Sequence, residues 1–409
     1  MRKFVRAAVT AGTALAVVMT AACGSDAGPA KPAYPPEPAI DLSKLDTGNL
    51  ATQPKLYGKA VNLDQARALE AERLADYIPL PVEVDPAVKY AGQPMAAAIR
   101  PFIDFGSGAM KQRIDADAGA MNAAAKGFVS GFVTTGKSDE ADELSYELEN
   151  IVLIFSDEAS ATAAAQALGQ TDLAADHPKQ RVSIDKYPAA FAYTDDTMPG
   201  LIRSWYATGK FVVFTRVFDN VMGALKNQDQ AKLAAHVQRS LDVIPPALAK
   251  FPATPGDKLA DLPIDMDGVL GRTLPTILDD ASQAGIPGIY ELHGGLQLIQ
   301  GDDDTRSLTE AGVDRVAWKG GYVFRTRDYQ SAAKLIDERA ETSRTFKAID
   351  PPPNLPNAVC RQYVGPAFAA ISYYCWVAHD RYVAELSANQ LLDVQQRIAA
   401  QYAMLVNAH

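Results

Sequence analysis

Apolar and polar residues follow one another along the chain in patterns that predict helices and strands in a repeated order. A helix is predicted from Leu63 to Ile78, where Ala, Glu and Arg dominate and prolines follow. Two short apolar segments, 151–155 and 322–324, predict strands, and each is followed at once by a helical segment. Apolar residues at helical spacing then predict one closing helix for each region: Leu233, Val237, Leu241 and Ile244 in the first, and Leu391, Val394, Ile398 and Leu405 in the second.

The two regions match each other at a constant offset, which indicates a duplicated domain. Asp157 aligns with Asp328 and Trp205 with Trp376, and both pairs are 171 positions apart. Each copy is expected to contain a strand, a helix, an extended segment, a β-hairpin and a closing helix. This order predicts an α+β protein made of two tandem ferredoxin-like repeats, with antiparallel or mixed sheets and helices on one face.

Composition along the chain predicts the domain boundaries. The first α+β domain is expected over 63–247 and the second over 269–409, with a linker rich in Pro, Asp and Gly at 248–268. Residues 23–62 include a Pro-rich stretch, and we expect them to form a disordered, extended tether ahead of the first domain.

The first 22 residues have the features of a signal peptide. A short basic region precedes an uncharged apolar stretch that is too short for a membrane span of about 20 residues. Small residues before Cys23, with Gly and Ser after it, are typical of a bacterial lipobox, although Thr20 stands where Leu, Val or Ile is preferred. We expect cleavage before Cys23, acylation of that cysteine with fatty acids such as palmitate, and anchoring to the outer face of the cell membrane. An ordinary secretory signal with an incidental cysteine is the alternative.

The two other cysteines predict a disulfide. Cys360 and Cys375 form an even pair in an oxidising compartment, and two free buried thiols are the alternative. In the repeat alignment Cys375 corresponds to Ser204 and Cys360 to Ala189, so the bridge would join neighbouring strands of the second copy. Its loss should therefore destabilise the second copy and leave the first unaffected.

Charge and motifs limit the functions that the sequence supports. The net charge of −10 argues against nucleic acid as a partner, because such binding depends on cationic contacts to phosphate. A P-loop-like pattern at 131–138, an S-x-x-K motif at 331–334 and an acidic run at 302–305 each lack the context that their chemistry needs. No catalytic, cofactor-binding or metal-binding residue is therefore assigned. Trp205 and Trp376 indicate either core residues or the walls of a cleft between the copies.

The chain resembles a family of uncharacterised actinobacterial cell-envelope lipoproteins, of the mycobacterial and nocardial type. The resemblance lies in the lipobox and in segments 41–49 and 73–81, and it extends over the mature chain. It implies an extracytoplasmic location and a shared domain layout, and it implies no activity. We expect a membrane-anchored, non-catalytic module that binds a small ligand or an envelope protein. An extracytoplasmic enzyme with an unrecognised site and a lipid carrier are the alternatives.

Overall fold

Helices and strands alternate through a first half that ends at Leu248 and a second half that begins at Gly288. The computed structural model describes residues 34–92, 101–175, 178–275, 287–299, 301–365 and 371–408. The described elements of the first half are α1 Leu63–Ala75, α2 Pro81–Val84, β1 Tyr90–Ala91, β2 Pro101–Phe102, α3 Gly108–Lys111, α4 Ala118–Ala124, β3 Phe128–Lys137, β4 Tyr146–Phe155, α5 Glu158–Leu173, β5 Lys179–Val182, β6 Phe191–Asp195, β7 Leu201–Thr208, β8 Phe211–Asp219, α6 Asn220–Leu225 and α7 Gln230–Leu248.

The second half repeats this order in a shorter form. Its described elements are β9 Gly288–Tyr290, α8 Leu292–Leu298, α9 Asp302–Glu310, β10 Arg315–Trp318, β11 Tyr322–Arg325, α10 Tyr329–Ala340, β12 Phe346–Ile349, β13 Val359–Tyr363, β14 Tyr373–His379, β15 Tyr382–Ala388 and α11 Leu391–Val406.

The two halves have the same sheet topology. In the described part of the first half the strand order is β2-β3-β4-β8-β7-β6-β5, and β1 pairs with the far end of β3. In the described part of the second half the order is β9-β10-β11-β15-β14-β13-β12, and the pairings in both sheets are antiparallel. The predicted α+β class and the two tandem halves are therefore confirmed.

Aligned aspartates of the two copies cap equivalent helices. Asp157 caps the N terminus of α5 by accepting a hydrogen bond from the Ser160 backbone N–H at 2.8 Å. Asp328 caps α10 in the same way, with the Ser331 N–H at 2.8 Å. The matched Asp-x-x-Ser sequences are thus the starts of equivalent helices.

The constant offset suggested that the two copies align without gaps. The structure shows that the alignment does contain gaps. Helix α10 ends 167 positions after α5, whereas β14 ends 171 positions after β7, so a shorter helix is compensated by longer connections. Strand register consequently pairs Cys360 with Cys375 as it pairs Ala192 with Ser204. Cys360 is therefore equivalent to Ala192 and not to Ala189. The differences in length lie between the start of α5 and β7 in the first half and between the start of α10 and β14 in the second.

Helices cover both faces of each sheet, and the expectation of helices on one face was wrong. In the first half α4 and α5 pack on one face, whereas α1 and α7 pack on the other. In the second half α10 and α11 lie on opposite faces. The run Ile151–Ile154 in β4 is buried at every position, which is the pattern of a strand covered on both sides. Among the described residues, no helix combines the length and apolar composition that crossing a bilayer requires.

Within the described residues, the predicted tether from Pro36 onward lies on the second half and on the connection that precedes it. We call residues 36–60 the N-terminal strap. Its Lys55 N–H donates to the Gly271 carbonyl at 2.9 Å, and its Ala60 N–H donates to the Leu262 carbonyl at 3.0 Å. Apolar side chains of the strap pack on the core of the second half, and these are Ile40, Leu42, Leu45, Leu50 and Tyr57. The prolines hid this apolar pattern in the sequence; residues 1–33 lie outside the described part.

Helix α1 packs against both halves, although it was predicted to belong to the first. It contacts β3 on one side and β9 and α8 on the other. Its buried residues point in every direction around the axis. They are Glu70, Glu72 and the apolar residues Ala66, Ala68, Leu69, Ala71, Leu74 and Ala75, most of which are small. Helix and sheet can therefore approach closely on either side, and α1 joins the halves into one body.

The predicted linker at 248–268 is also packed rather than free. Its 3-10 helix at Gly256–Asp261 contacts α1. The Thr254 N–H donates to one oxygen of the buried Glu70 carboxylate at 2.6 Å, and its hydroxyl donates to the other at 2.8 Å. Composition suggested a spacer because it does not report on such capping contacts.

A Gly271→Ala substitution is expected to loosen the strap. An added Cβ would lie 2.2 Å from the Lys55 carbonyl oxygen, so the strap backbone would have to move. We expect a loss of about 1–3 kcal/mol in the free energy of unfolding and faster proteolysis within 40–60. Gly256→Ala is the matched control, because a Cβ there meets nothing within 4 Å. Equal protease resistance of the two variants would contradict the docked strap.

Candidate functional site

A polar cavity of about 380 Å³ opens in the second half between α9, α10 and β13. Donors and acceptors from three elements converge on it. The lining residues are Asp303, Asp304, Arg306, Ser307, Glu338, Arg339, Glu341, Thr342, Ser343 and Arg361. Helix α9 therefore begins within the acidic run 302–305, and its Asp303 and Asp304 contribute to a cavity wall.

Arg361 is held in place by its neighbours on the sheet. Its guanidinium lies 4.7 Å from the centre of the Trp376 ring and 4.9 Å from that of Phe346, so it sits against two aromatic rings. One terminal nitrogen donates to the Glu341 carbonyl oxygen. Its Nε is buried and has no hydrogen-bond partner among the described residues. The side chain is thus positioned with part of its hydrogen-bonding capacity unused.

Arg339 joins the two helices that border the cavity. It forms an ion pair with Asp304, which links α10 to α9. On the outer side of the same helices, Lys334 pairs with Glu310 at 2.5 Å and with Glu338 at 3.3 Å. These contacts fix the spacing of α9 and α10, and with it the width of the cavity.

A carboxylate and an indole ring lie behind the lining arginines. The Trp376 Nε1–H donates to Glu385 Oε2 at 2.8 Å. Burial raises the pKa of the Glu385 carboxyl, and Arg339 opposes this shift by favouring the charged form. Burial, with the Glu385 charge added, also raises the pKa of Tyr322. Polar groups in partly buried positions therefore lie behind the lining arginines.

The first half has buried, mostly apolar side chains at the equivalent positions. The repeat offset and the strand register pair Arg339 with Leu168, Arg361 with Tyr193 and Glu385 with Phe214. Those three first-half side chains are fully buried, as is Trp205, which stacks on the Phe214 ring at 3.9 Å. The second half thus carries charged side chains where the first half carries Leu168, Phe214 and Tyr193, whose hydroxyl donates to the buried Asp172. Alignment of the copies contains this signal, because Phe214 and Glu385 are 171 positions apart on matched strands.

Both predicted tryptophans lie in cores and do not line a cleft between the copies. Trp205 is fully buried and Trp376 is 3% exposed, and each packs within its own half. The cleft alternative is corrected, because α1 and α8 fill the boundary between the sheets. There Gln297 accepts from Thr134 at 2.6 Å and donates to the Ile78 carbonyl at 2.7 Å. A pocket at this boundary measures only about 40 Å³.

The predicted disulfide is present and lies directly beneath the candidate site. Cys360 and Cys375 are bonded, and their Cα atoms are 4.1 Å apart. Neighbours in a strand point to opposite faces, so Arg361 and Trp376 face the cavity side while the cysteines face α11. The bridge therefore ties together the two strands that carry Arg361 and Trp376. Cys23, the predicted lipidation site, lies outside the described residues.

The other sequence motifs have structural roles. Lys137 of the P-loop-like pattern ends β3 and pairs with Asp142 at 2.6 Å. Ser331 and Lys334 of the S-x-x-K motif serve as a helix cap contact and an ion-pair partner. Within the described ranges, no group of three or more metal-ligating side chains is found.

Two family models match the chain. Residues 57–264 match the model described as "Domain of unknown function (DUF7373) N-terminal", and residues 269–408 match the corresponding C-terminal model. The chain belongs to the DUF7373 family. The expectation of an uncharacterised family is confirmed at this level. The boundary between the DUF7373 models falls where the first half gives way to the second. Searches of curated proteins and of solved structures each found no match.

Replacing the disulfide should destabilise the cavity side of the second half. The substitutions Cys360→Ala and Cys375→Ser install the residues that the first half carries at Ala192 and Ser204. Because the bridge closes a loop with a sequence separation of 15, we expect a loss of about 3 kcal/mol in the free energy of unfolding. Hydrogen exchange should become faster in β13 and β14. Unchanged exchange there, or an equal increase in β6 and β7, would show that the bridge does not hold this region.

Proposed function

We propose that this DUF7373 protein is an exported, lipid-anchored binding protein that holds a small polar ligand in the cavity between α9, α10 and β13. One observation carries the proposal. Two halves with the same topology carry their buried charges in different places, and Arg339, Arg361 and Glu385 of the second half stand where the first half has Leu168, Tyr193 and Phe214. The first half closes its buried charges into ion pairs, whereas the second-half arginines border a cavity, and this difference favours a role in recognition.

The shape of the cavity supports a small molecule rather than a lipid or a protein surface. Its volume of about 380 Å³ lies within the range of ligand pockets, and charged or hydroxyl side chains make up its lining. An acyl chain would leave these groups without partners. Glu385, whose pKa is raised, lies behind the arginines and not among the lining residues, so the arrangement favours binding over acid–base catalysis.

The strap supports attachment through the N terminus. Glu37 accepts from the Asp380 N–H at 3.0 Å and contacts the His379 ring nitrogen at 2.6 Å. The chain that leads from Cys23 would therefore be fastened to the half that contains the cavity. Lipid on Cys23 would keep that half at the outer face of the membrane.

Native mass spectrometry of protein released gently from the envelope tests the binding role. The wild type is expected to carry a non-covalent small-molecule adduct. A variant with Arg339→Leu, Arg361→Tyr and Glu385→Phe, which restores the first-half residues, should lack it while keeping its circular dichroism spectrum. Arg344→Leu, at an exposed position outside the lining, is the matched control and should keep the adduct. An adduct retained by the triple variant would refute the proposed site.

Labelling with an alkyne-tagged palmitate tests the anchor. Wild-type protein should incorporate the label and sediment with membranes, whereas Cys23→Ser should do neither. A variant with Cys360→Ala and Cys375→Ser controls for general loss of cysteines and should behave as wild type. Membrane association of the Cys23→Ser protein would contradict the lipid anchor.

A further inference from the structure

The described structure leaves the charge of Arg361 without a carboxylate partner. No acidic oxygen lies within 4.0 Å of its guanidinium among the described residues, and its hydrogen bond goes to the neutral Glu341 carbonyl. The first half treats its buried arginines differently. Arg203 forms two hydrogen bonds with Asp115, at 2.6 and 2.8 Å, and Arg216 pairs with Glu149 at 2.7 Å. A half-buried guanidinium is normally paired, because desolvation of its charge is costly.

The environment of Arg361 further disfavours its unpaired positive charge. Burial lowers the pKa of Arg361 and the positive charge of Arg339 lowers it further, whereas the carboxylates of Glu385, Asp304 and Glu341, none of them within ion-pair distance, oppose the shift without cancelling it. The Asp304 carboxylate forms its ion pair with Arg339. At the same time the aromatic rings and the disulfide below keep the guanidinium in place, so little side-chain entropy would be lost when it binds.

We propose that the ligand carries an anionic group, a carboxylate or a phosphate, and that Arg361 binds this group. The inference rests on the proposed binding function and names the ligand class of the same cavity. Arginine suits both groups because its planar fork matches their paired oxygens. The lining carries four acidic side chains, Asp303, Asp304, Glu338 and Glu341, beside three arginines. They disfavour a polyanion, so the rest of the ligand presents hydroxyl or ammonium groups.

Side-chain NMR of the full-length protein tests this directly. The Arg361 Nε–Hε resonance is assigned by its loss in Arg361→Lys, a variant that keeps the charge and removes the fork. Acetate, inorganic phosphate and neutral glycerol are titrated separately, with sodium chloride used to match ionic strength. We expect a saturable shift of the Arg361 resonance with acetate or phosphate, and the tighter of the two identifies the anionic group.

Matched variants make the outcome decisive. Arg361→Lys should weaken the binding of the anion by about tenfold, whereas Arg344→Lys should leave it unchanged. If glycerol alone shifts the Thr342 and Ser343 amides, or if anion binding survives Arg361→Lys unchanged, the inference is wrong although the cavity still binds a ligand. If no probe shifts any cavity resonance, an anion subsite at Arg361 is refuted. The adduct experiment on the triple variant tests the proposed binding function independently of these outcomes.

Discussion

A carboxylate cannot take the place of a phenyl ring inside a sheet domain unless its surroundings also become polar. Glu385 occupies the strand position that Phe214 fills in the first half, and the difference extends outward from there. Trp205 stacks on Phe214, whereas Trp376 turns its indole N–H to Glu385. Arg339 then favours the charged form of Glu385, and the space that an apolar core would fill becomes a cavity. Desolvation of charge is the constraint from which the candidate site follows.

Because the domain is duplicated, each position in the second half can be compared with an equivalent position in the first. Both halves keep the same order of seven strands and the same capped helix after the third strand, so a position in one half has a defined counterpart in the other. The halves are nevertheless not independent, because α1 is buried between them and the N-terminal strap crosses to the second. Within this one compact unit α9, α10 and β13 border the same cavity, which is what a preformed pocket requires.

The sequence predicted the α+β class, the duplication and the disulfide because these depend on local signals: apolar runs, Asp-x-x-Ser caps and cysteine parity. It did not predict the packing of the strap, because prolines masked the apolar Ile40 and Leu45 and because docking is a long-range contact. It also missed the second helical layer, since a strand buried on both faces has no alternation to reveal it. Arg361 and Glu385 could have been found only by asking where one copy carries charge and the other does not.

Hydrogen exchange with and without the small-molecule fraction of the cell envelope tests the central claim most directly. If the cavity in the second half is the binding site, addition of that fraction should slow exchange in α9, α10 and β13. The equivalent elements of the first half, α4, α5 and β6, should not change because the side chains at the equivalent positions are buried. Protection confined to the first half, or to the boundary around α1, would contradict the account.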